Sequence, residues 1–178
     1  MLKKLNLGCG TDIKKGWVNL DIYPLNGVDI VHNLTKVPYP FKSEEFDYIL
    51  CKDILEHLDC VPTMRELHRM LKRNGVLRIR VPHFTSTHNY EDPTHKKMFA
   101  TRLFLFFVKN SEMGRDYYFD FHFRRVNRTK ITFEKGFMIW NYIIEPLVNM
   151  GNKTRTIYEF TFLSRLFPAD NIDIVMVK

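Results

Sequence analysis

The run Lys4-Leu5-Asn6-Leu7-Gly8-Cys9-Gly10, with Asp21 eleven residues beyond Gly10, restricts the fold of this chain more than any other segment. It reads as a short buried strand, a glycine turn, a second strand and an acid at that strand's end. Glycine lets the backbone turn tightly and approach a ligand where a side chain would collide with it. A carboxylate at the end of the next strand can accept both hydroxyls of a ribose. The pattern therefore suits a nucleoside-bearing cofactor. Taken alone it also suits an ordinary tight turn.

The surrounding pattern predicts an α/β fold. Lys4–Leu7, Val18–Ile22, Asp29–Leu34, Phe46–Cys51 and Val76–Val81 are short and apolar, as the strands of a covered parallel sheet are. Between the last two lies a predicted helix. Pro62 suits its first turn, Met64, Leu67 and Leu71 recur at helical spacing, and Arg69, Lys72 and Arg73 suit its carboxyl end. Asn74-Gly75 is read as its stop. Alternation of strands and helices implies right-handed crossovers, with ligands at the carboxyl ends of the strands. Asn171–Val177 reads as a closing strand, antiparallel beside the fifth, after a helix near Ile157–Leu166.

A chain of 178 residues is expected to form one domain, residues 1–178, with a cofactor half at 1–83 and a substrate or lid half at 84–178. The first strand begins almost at Met1, so no signal peptide is expected. Cys9, Cys51 and Cys60 have no metal-type spacing and read as reduced, buried thiols of a cytoplasmic protein. The net charge of +7 favours anionic partners such as nucleic acid, phosphorylated sugars or a membrane surface, and equally suits a solubilising basic surface.

The segments Leu5–Gly10, Asn19–Asp21, Asp29–Leu34, Phe46–Cys51, Ile54–Leu58 and Leu71–Leu77, in this order, resemble the class I S-adenosylmethionine-dependent methyltransferases, particularly the type 11 group. The resemblance covers about residues 4 to 83 and implies a Rossmann-like, mostly parallel sheet with an antiparallel closing strand. It implies S-adenosyl-L-methionine as cofactor and no metal. By the same resemblance Leu7, Gly8, Cys9 and Gly10 would line the methionine part of the cofactor. Asp21 would hold the ribose, Ile22 would pack on the adenine, and Asn33 and Leu34 would border its edge. Cys51 and Lys52 would face the methionyl group.

Three features depart from that group. Thr11–Gly16 leaves room for no more than a turn where a helix is usual. Asn33 stands where Asp is common, though its carbonyl can still accept from the adenine amino group. Covering helices before the first strand are lacking, so the second half or a partner chain would supply a lid. A dinucleotide domain is the alternative. It would use a third glycine opening a helix to receive a pyrophosphate, and this chain has Lys14 and Lys15 there instead.

In the second half, His83 to His95 follows the fifth strand and starts at the active-site rim. His95 and His83 are the candidate general bases, with His57 third and Glu56-His57 read mainly as loop support. His83, His88, Asp92 and His95 have the types of zinc ligands but match no firm spacing. Leu103–Val108 and Phe137–Met150 are too short to span a bilayer; core packing is the ordinary meaning of such runs, and a lid, a dimer face or a peripheral membrane contact are the others. Arg124, Arg125, Arg128 and Lys130 among aromatics suit nucleic acid or a solvated strand. The expected activity is methyl transfer to oxygen or nitrogen of a small-molecule acceptor such as a saccharide or lipid-linked saccharide. The alternatives are an RNA methyltransferase and a non-catalytic scaffold.

Overall fold

The computed structural model describes residues 2–178. Seven strands form one sheet: β1 (Lys4–Leu7), β2 (Val18–Asp21), β3 (Ile30–Val31), β4 (Phe46–Lys52), β5 (Leu71–Pro82), β6 (Arg125–Thr132) and β7 (Asn171–Val177). Their spatial order is 3-2-1-4-5-7-6. Strands β1 to β5 run parallel, and β7 lies antiparallel between β5 and β6. The expected Rossmann-like sheet and its antiparallel closing strand are both present. The second half of the chain thus completes the sheet begun by the first.

The register sets the functional edge. Leu7 pairs with Leu20 on one side and with Cys51 on the other. Lys52 pairs with Arg80, and Pro82 with Asn171. The carboxyl ends of β2, β1, β4 and β5 and the start of β7 therefore follow one another along one edge. Beneath them, Leu5, Leu7, Ile49, Cys51, Leu77 and Ile79 are fully buried.

Helix α1 (Cys60–Met70) covers this core with Met64 and Leu67, both fully buried, each contributing about 1.5–3 kcal/mol. Pro62 lies in its first turn, where a missing N–H costs nothing. The helix ends four residues before the expected Asn74-Gly75 stop. Leu71 is fully buried and pairs with Phe46, so burial in the sheet overrides continuation of the helix. Lys72 and Arg73 then fall in an irregularity of β5, where Asn74 takes a left-handed conformation.

No helix lies between β1 and β2. Two buried asparagines fasten the loop instead. Asn6 donates to the carbonyl of Asp12 and to Asn19 Oδ1, which also accepts from Lys14 N–H. Strand β3 is shorter than expected because Asn33 turns the chain away through Thr35.

The second half adds α2 (His88–Glu91), α3 (Asn141–Val148), α4 (Asn152–Phe160) and α5 (Leu163–Leu166). The Leu103–Val108 run does pack, burying Phe104, Phe107 and Val108. The Phe137–Met150 run largely does not. Val148 reaches a small satellite core with Phe133 and Tyr158, whereas Trp140, Ile143, Leu147 and Met150 are exposed. No helix of the described residues is long and apolar enough to cross a membrane.

Candidate cofactor and acceptor site

The glycine turn follows β1, with Gly8 and Gly10 both at positive φ. Their surroundings differ. A Cβ on Gly8 would stand 2.5 Å from Ile54 Cγ1, so Gly8 is required by protein packing. A Cβ on Gly10 would meet no protein atom within 4 Å, which leaves its backbone facing open space. Gly10 N–H donates to Asp21 Oδ2 at 2.7 Å, and Tyr23 N–H donates to Oδ1 at 3.1 Å. Each Asp21 oxygen keeps one acceptor site, enough for two hydroxyls. Ile22 beside it is 48% exposed, available as an apolar platform.

Other expected cofactor residues are placed less directly. Cys51 is fully buried in the core, and burial pushes its thiol well up. Its side chain is enclosed by the core rather than lying at an open surface. Cys9 is also buried. Lys52 pairs with Asp12 at 3.1 Å, and Asp12 pairs with Lys14 as well; these bonds hold the Asp12 carboxyl below the usual range. Asn33 Oδ1 accepts from both N–H and Oγ1 of Thr35. Its carbonyl is therefore committed, and only its NH2 group is free for an adenine edge, which reverses the polarity expected from the sequence. Leu34 is buried, and its carbonyl accepts from Tyr39 O–H.

Beyond β4 the chain enters a cleft of about 600 Å³, bordered by Asp53, Glu56, His57, Arg80, Asp92 and His95. Asp53 takes a left-handed conformation and receives Arg80 Nε at 2.7 Å. Ile54, the residue that meets Gly8, leads into a single 3-10 turn, Leu55–His57. One residue thus separates the glycine turn from the cleft wall.

Glu56 is 1% exposed and its Oε2 has no hydrogen-bond partner among the described residues. Burial, with Asp53 and Asp92 nearby, raises its carboxyl to about 7 against the pull of a backbone bond. His57 Nδ1 lies 2.8 Å from Thr94 Oγ1, and its ring is 4.7 Å from that of His95. Burial and the neighbouring His95 depress His57. The Asp92-Pro93-Thr94-His95 turn is fixed by Thr94 N–H and Oγ1, both donating to Asp92 Oδ1.

Of the two expected bases, only His95 borders the cleft. His83 is completely buried, with Nδ1 2.7 Å from Thr85 Oγ1 and Nε2 3.4 Å from Glu159. It packs against Phe84 and Tyr158 rather than opening to the rim. Nor do His83, His88, Asp92 and His95 form one ligand set: His88 pairs with Glu91 and Asp170. The structure brings Glu56 and His57 to His95 instead. Asp53 and Arg80 went unnoticed in the sequence, although each stands at or near the end of a strand.

A second cleft, of about 1110 Å³, runs beside β6 and the start of α4 and is lined by Arg102, Lys109, Arg124, Arg128, Lys153 and Arg155. Arg155 is only 9% exposed and its guanidinium donates to Asn152. Desolvation lowers its basicity.

The sheet order, the glycine turn and the acid at the end of β2 define a class I methyltransferase fold. The methyltransferase domain family model matches residues 5–79. Among solved structures, an S-adenosylmethionine-dependent methyltransferase from Archaeoglobus fulgidus is similar at 17% identity and a TM-score of 0.61, over 99% of this chain and 86% of that one. The Haloferax volcanii complex between the Trm112 methyltransferase activator and a methyltransferase is similar at 16% identity and 0.55, over 99% and 82%. The cyclase SpnF is similar at 14% identity and 0.56, over 99% and 74%. No curated protein matches in sequence. The resemblance to class I S-adenosylmethionine-dependent methyltransferases of the type 11 group is thereby borne out: the first half carries the family's sequence pattern, and the whole chain has the fold. S-adenosyl-L-methionine is the cofactor this family implies, and the open face of Gly10 with the spare acceptor sites of Asp21 fit it.

Proposed function

We propose that the protein is an S-adenosylmethionine-dependent methyltransferase that acts on oxygen or nitrogen of an acceptor held in the cleft beyond β4. The observation that carries this reading is the contact of Gly8 with Ile54. It sets the glycine turn against the wall that presents Glu56 and His57, which supports a cofactor and an acceptor held side by side. When bound, the cofactor supplies a methyl group already activated by a positively charged sulfur. Asp21 holds the ribose hydroxyls, Gly10 gives the ligand room, and Ile22 supports the adenine. The cleft residues hold the acceptor in line, and alignment supplies much of the rate. His95 is the expected catalytic residue that reaches this cleft.

A polar cleft with both carboxylates and imidazoles suits a hydroxyl-rich small molecule, and a saccharide is the first acceptor class to screen. Calorimetric titration with S-adenosylmethionine, S-adenosylhomocysteine and NAD tests the cofactor. Binding of the first two and none of NAD is expected. Binding of NAD alone would refute the reading. Binding of none would point to a partner that completes the site; the Haloferax complex pairs a methyltransferase with an activator.

The second reading is an RNA methyltransferase, favoured by the basic cleft beside β6. Its cations could track a phosphate backbone, with affinity falling steeply as salt rises.

A further inference from the structure

We propose that Glu56, His57 and His95 form a binding site for a divalent transition-metal ion of the zinc type, on the wall of the acceptor cleft. This goes against the expectation from the resemblance, which implies no metal, and it rests on the side chains alone. One carboxylate oxygen of Glu56 and one nitrogen of each imidazole all lie within 4.8 Å of one another. Two imidazoles and a carboxylate are a donor set that zinc accepts, with a fourth position left for water or substrate.

Two orphaned atoms support the site independently. Glu56 Oε2 and His95 Nδ1 are both buried and have no partner among the described residues. A buried polar atom left unsatisfied costs about 1–3 kcal/mol. A cation between them would satisfy both at once. The imidazole of His57 is also braced from behind: Thr94 Oγ1 lies 2.8 Å from its Nδ1. Such outer contacts orient metal-binding histidines.

The two segments that carry the donors are tied together. Lys96 N–H donates to the carbonyl of Glu56 at 2.8 Å, so the His95 turn cannot drift from the Glu56 turn without breaking a backbone bond. In a zinc tetrahedron the donors stand about 3.4 Å apart. The three side chains must therefore close in, a movement their own torsions can supply. The ion would bind and polarise an acceptor hydroxyl or amine in the cleft. That last role rests on the methyltransferase reading; the metal site itself does not.

The test is calorimetry of the metal-stripped full chain with zinc chloride, together with the visible spectrum of the cobalt-loaded protein. One zinc ion per chain is expected, with cobalt bands of low coordination number. Glu56→Gln and His95→Ala should each weaken zinc binding at least about tenfold. His68→Gln, which removes an imidazole elsewhere, should leave it unchanged. S-adenosylhomocysteine affinity is measured on the same samples and should survive in His95→Ala, which also reports that this variant is folded. Stoichiometric zinc binding without S-adenosylhomocysteine binding would support the metal site on its own and leave the cofactor site to a partner chain. Absence of zinc binding in a wild-type protein that binds S-adenosylhomocysteine would overturn the metal site alone. Retention of full affinity in both variants would overturn it too.

Discussion

Gly8 and Gly10 share a positive φ, yet replacing each with alanine should damage different properties. In Gly8→Ala the new Cβ meets Ile54 Cγ1 at 2.5 Å and Ile54 Cβ at 3.0 Å. Rotation of the Ile54 side chain relieves the first contact but not the second. Left-handed strain of about 1 kcal/mol and overpacking of about 1–3 kcal/mol, less a gain below about 1 kcal/mol from the stiffer unfolded chain, give a net loss of about 2 kcal/mol. For a chain of this length that lowers the melting temperature by about 4–8 °C. In Gly10→Ala no collision exists, so the strain and the unfolded-state gain nearly cancel and the melting point should move little. Its methyl group enters the space assigned to the ligand, so S-adenosylhomocysteine affinity should fall at least about tenfold, or about 1.4 kcal/mol. Differential scanning calorimetry and ligand titration read both quantities. Adding Ile54→Ala should recover part of the Gly8→Ala loss, a coupling expected of residues in contact. A wild-type melting point in Gly8→Ala refutes the packing account, and unchanged affinity in Gly10→Ala refutes the assignment of that open space to the cofactor.

Three further outcomes follow from the structure. Asp21→Ala should abolish measurable cofactor binding and cost about 1–3 kcal/mol in stability, because it strands the N–H groups of Gly10 and Tyr23; equal affinity in calorimetry would contradict the ribose role. His68 is held neutral by burial, its pKa lowered to about 4, so the unfolded chain takes up a proton below about 6.5 that the folded chain refuses. Stability should therefore fall between about pH 6.5 and pH 4, by up to about 1.4 kcal/mol per pH unit, and His68→Gln should flatten that part of the urea-midpoint profile. If the acceptor is RNA, Arg128→Gln should weaken its binding and reduce the salt slope by about 0.7; a binding constant indifferent to salt would remove that reading.

The fold was legible because its signals are local. The glycine turn, the acid at the end of β2, the five parallel segments and the closing strand each declare themselves within a few residues. Side-chain direction was not legible. Cys51 stands at the end of the right strand but points into the core, and His83 follows the right strand but is enclosed by Glu159 and Tyr158. Asn33 had the expected position, yet a local turn consumes its carbonyl. The Glu56, His57 and His95 cluster depends on a backbone bond between segments far apart in the chain, which no local spacing encodes. The exposed side of α3 was misjudged for a related reason: its residues are as apolar as core residues, but nothing in the fold covers them.

The asparagine-fastened loop between β1 and β2 bears on how the site breathes. In a helix each amide is shielded by the next turn, so the amides exchange with solvent as a cooperative group. Here the shielding passes through single side chains: Gly10 N–H depends on Asp21, and Lys14 N–H on Asn19 Oδ1. Hydrogen exchange at these two amides can therefore differ in rate within one short loop. The Gly10 amide donates to the carboxylate proposed to hold the ribose, so its exchange should slow when that carboxylate is occupied, whereas Lys14 keeps the rate set by the strands beneath it.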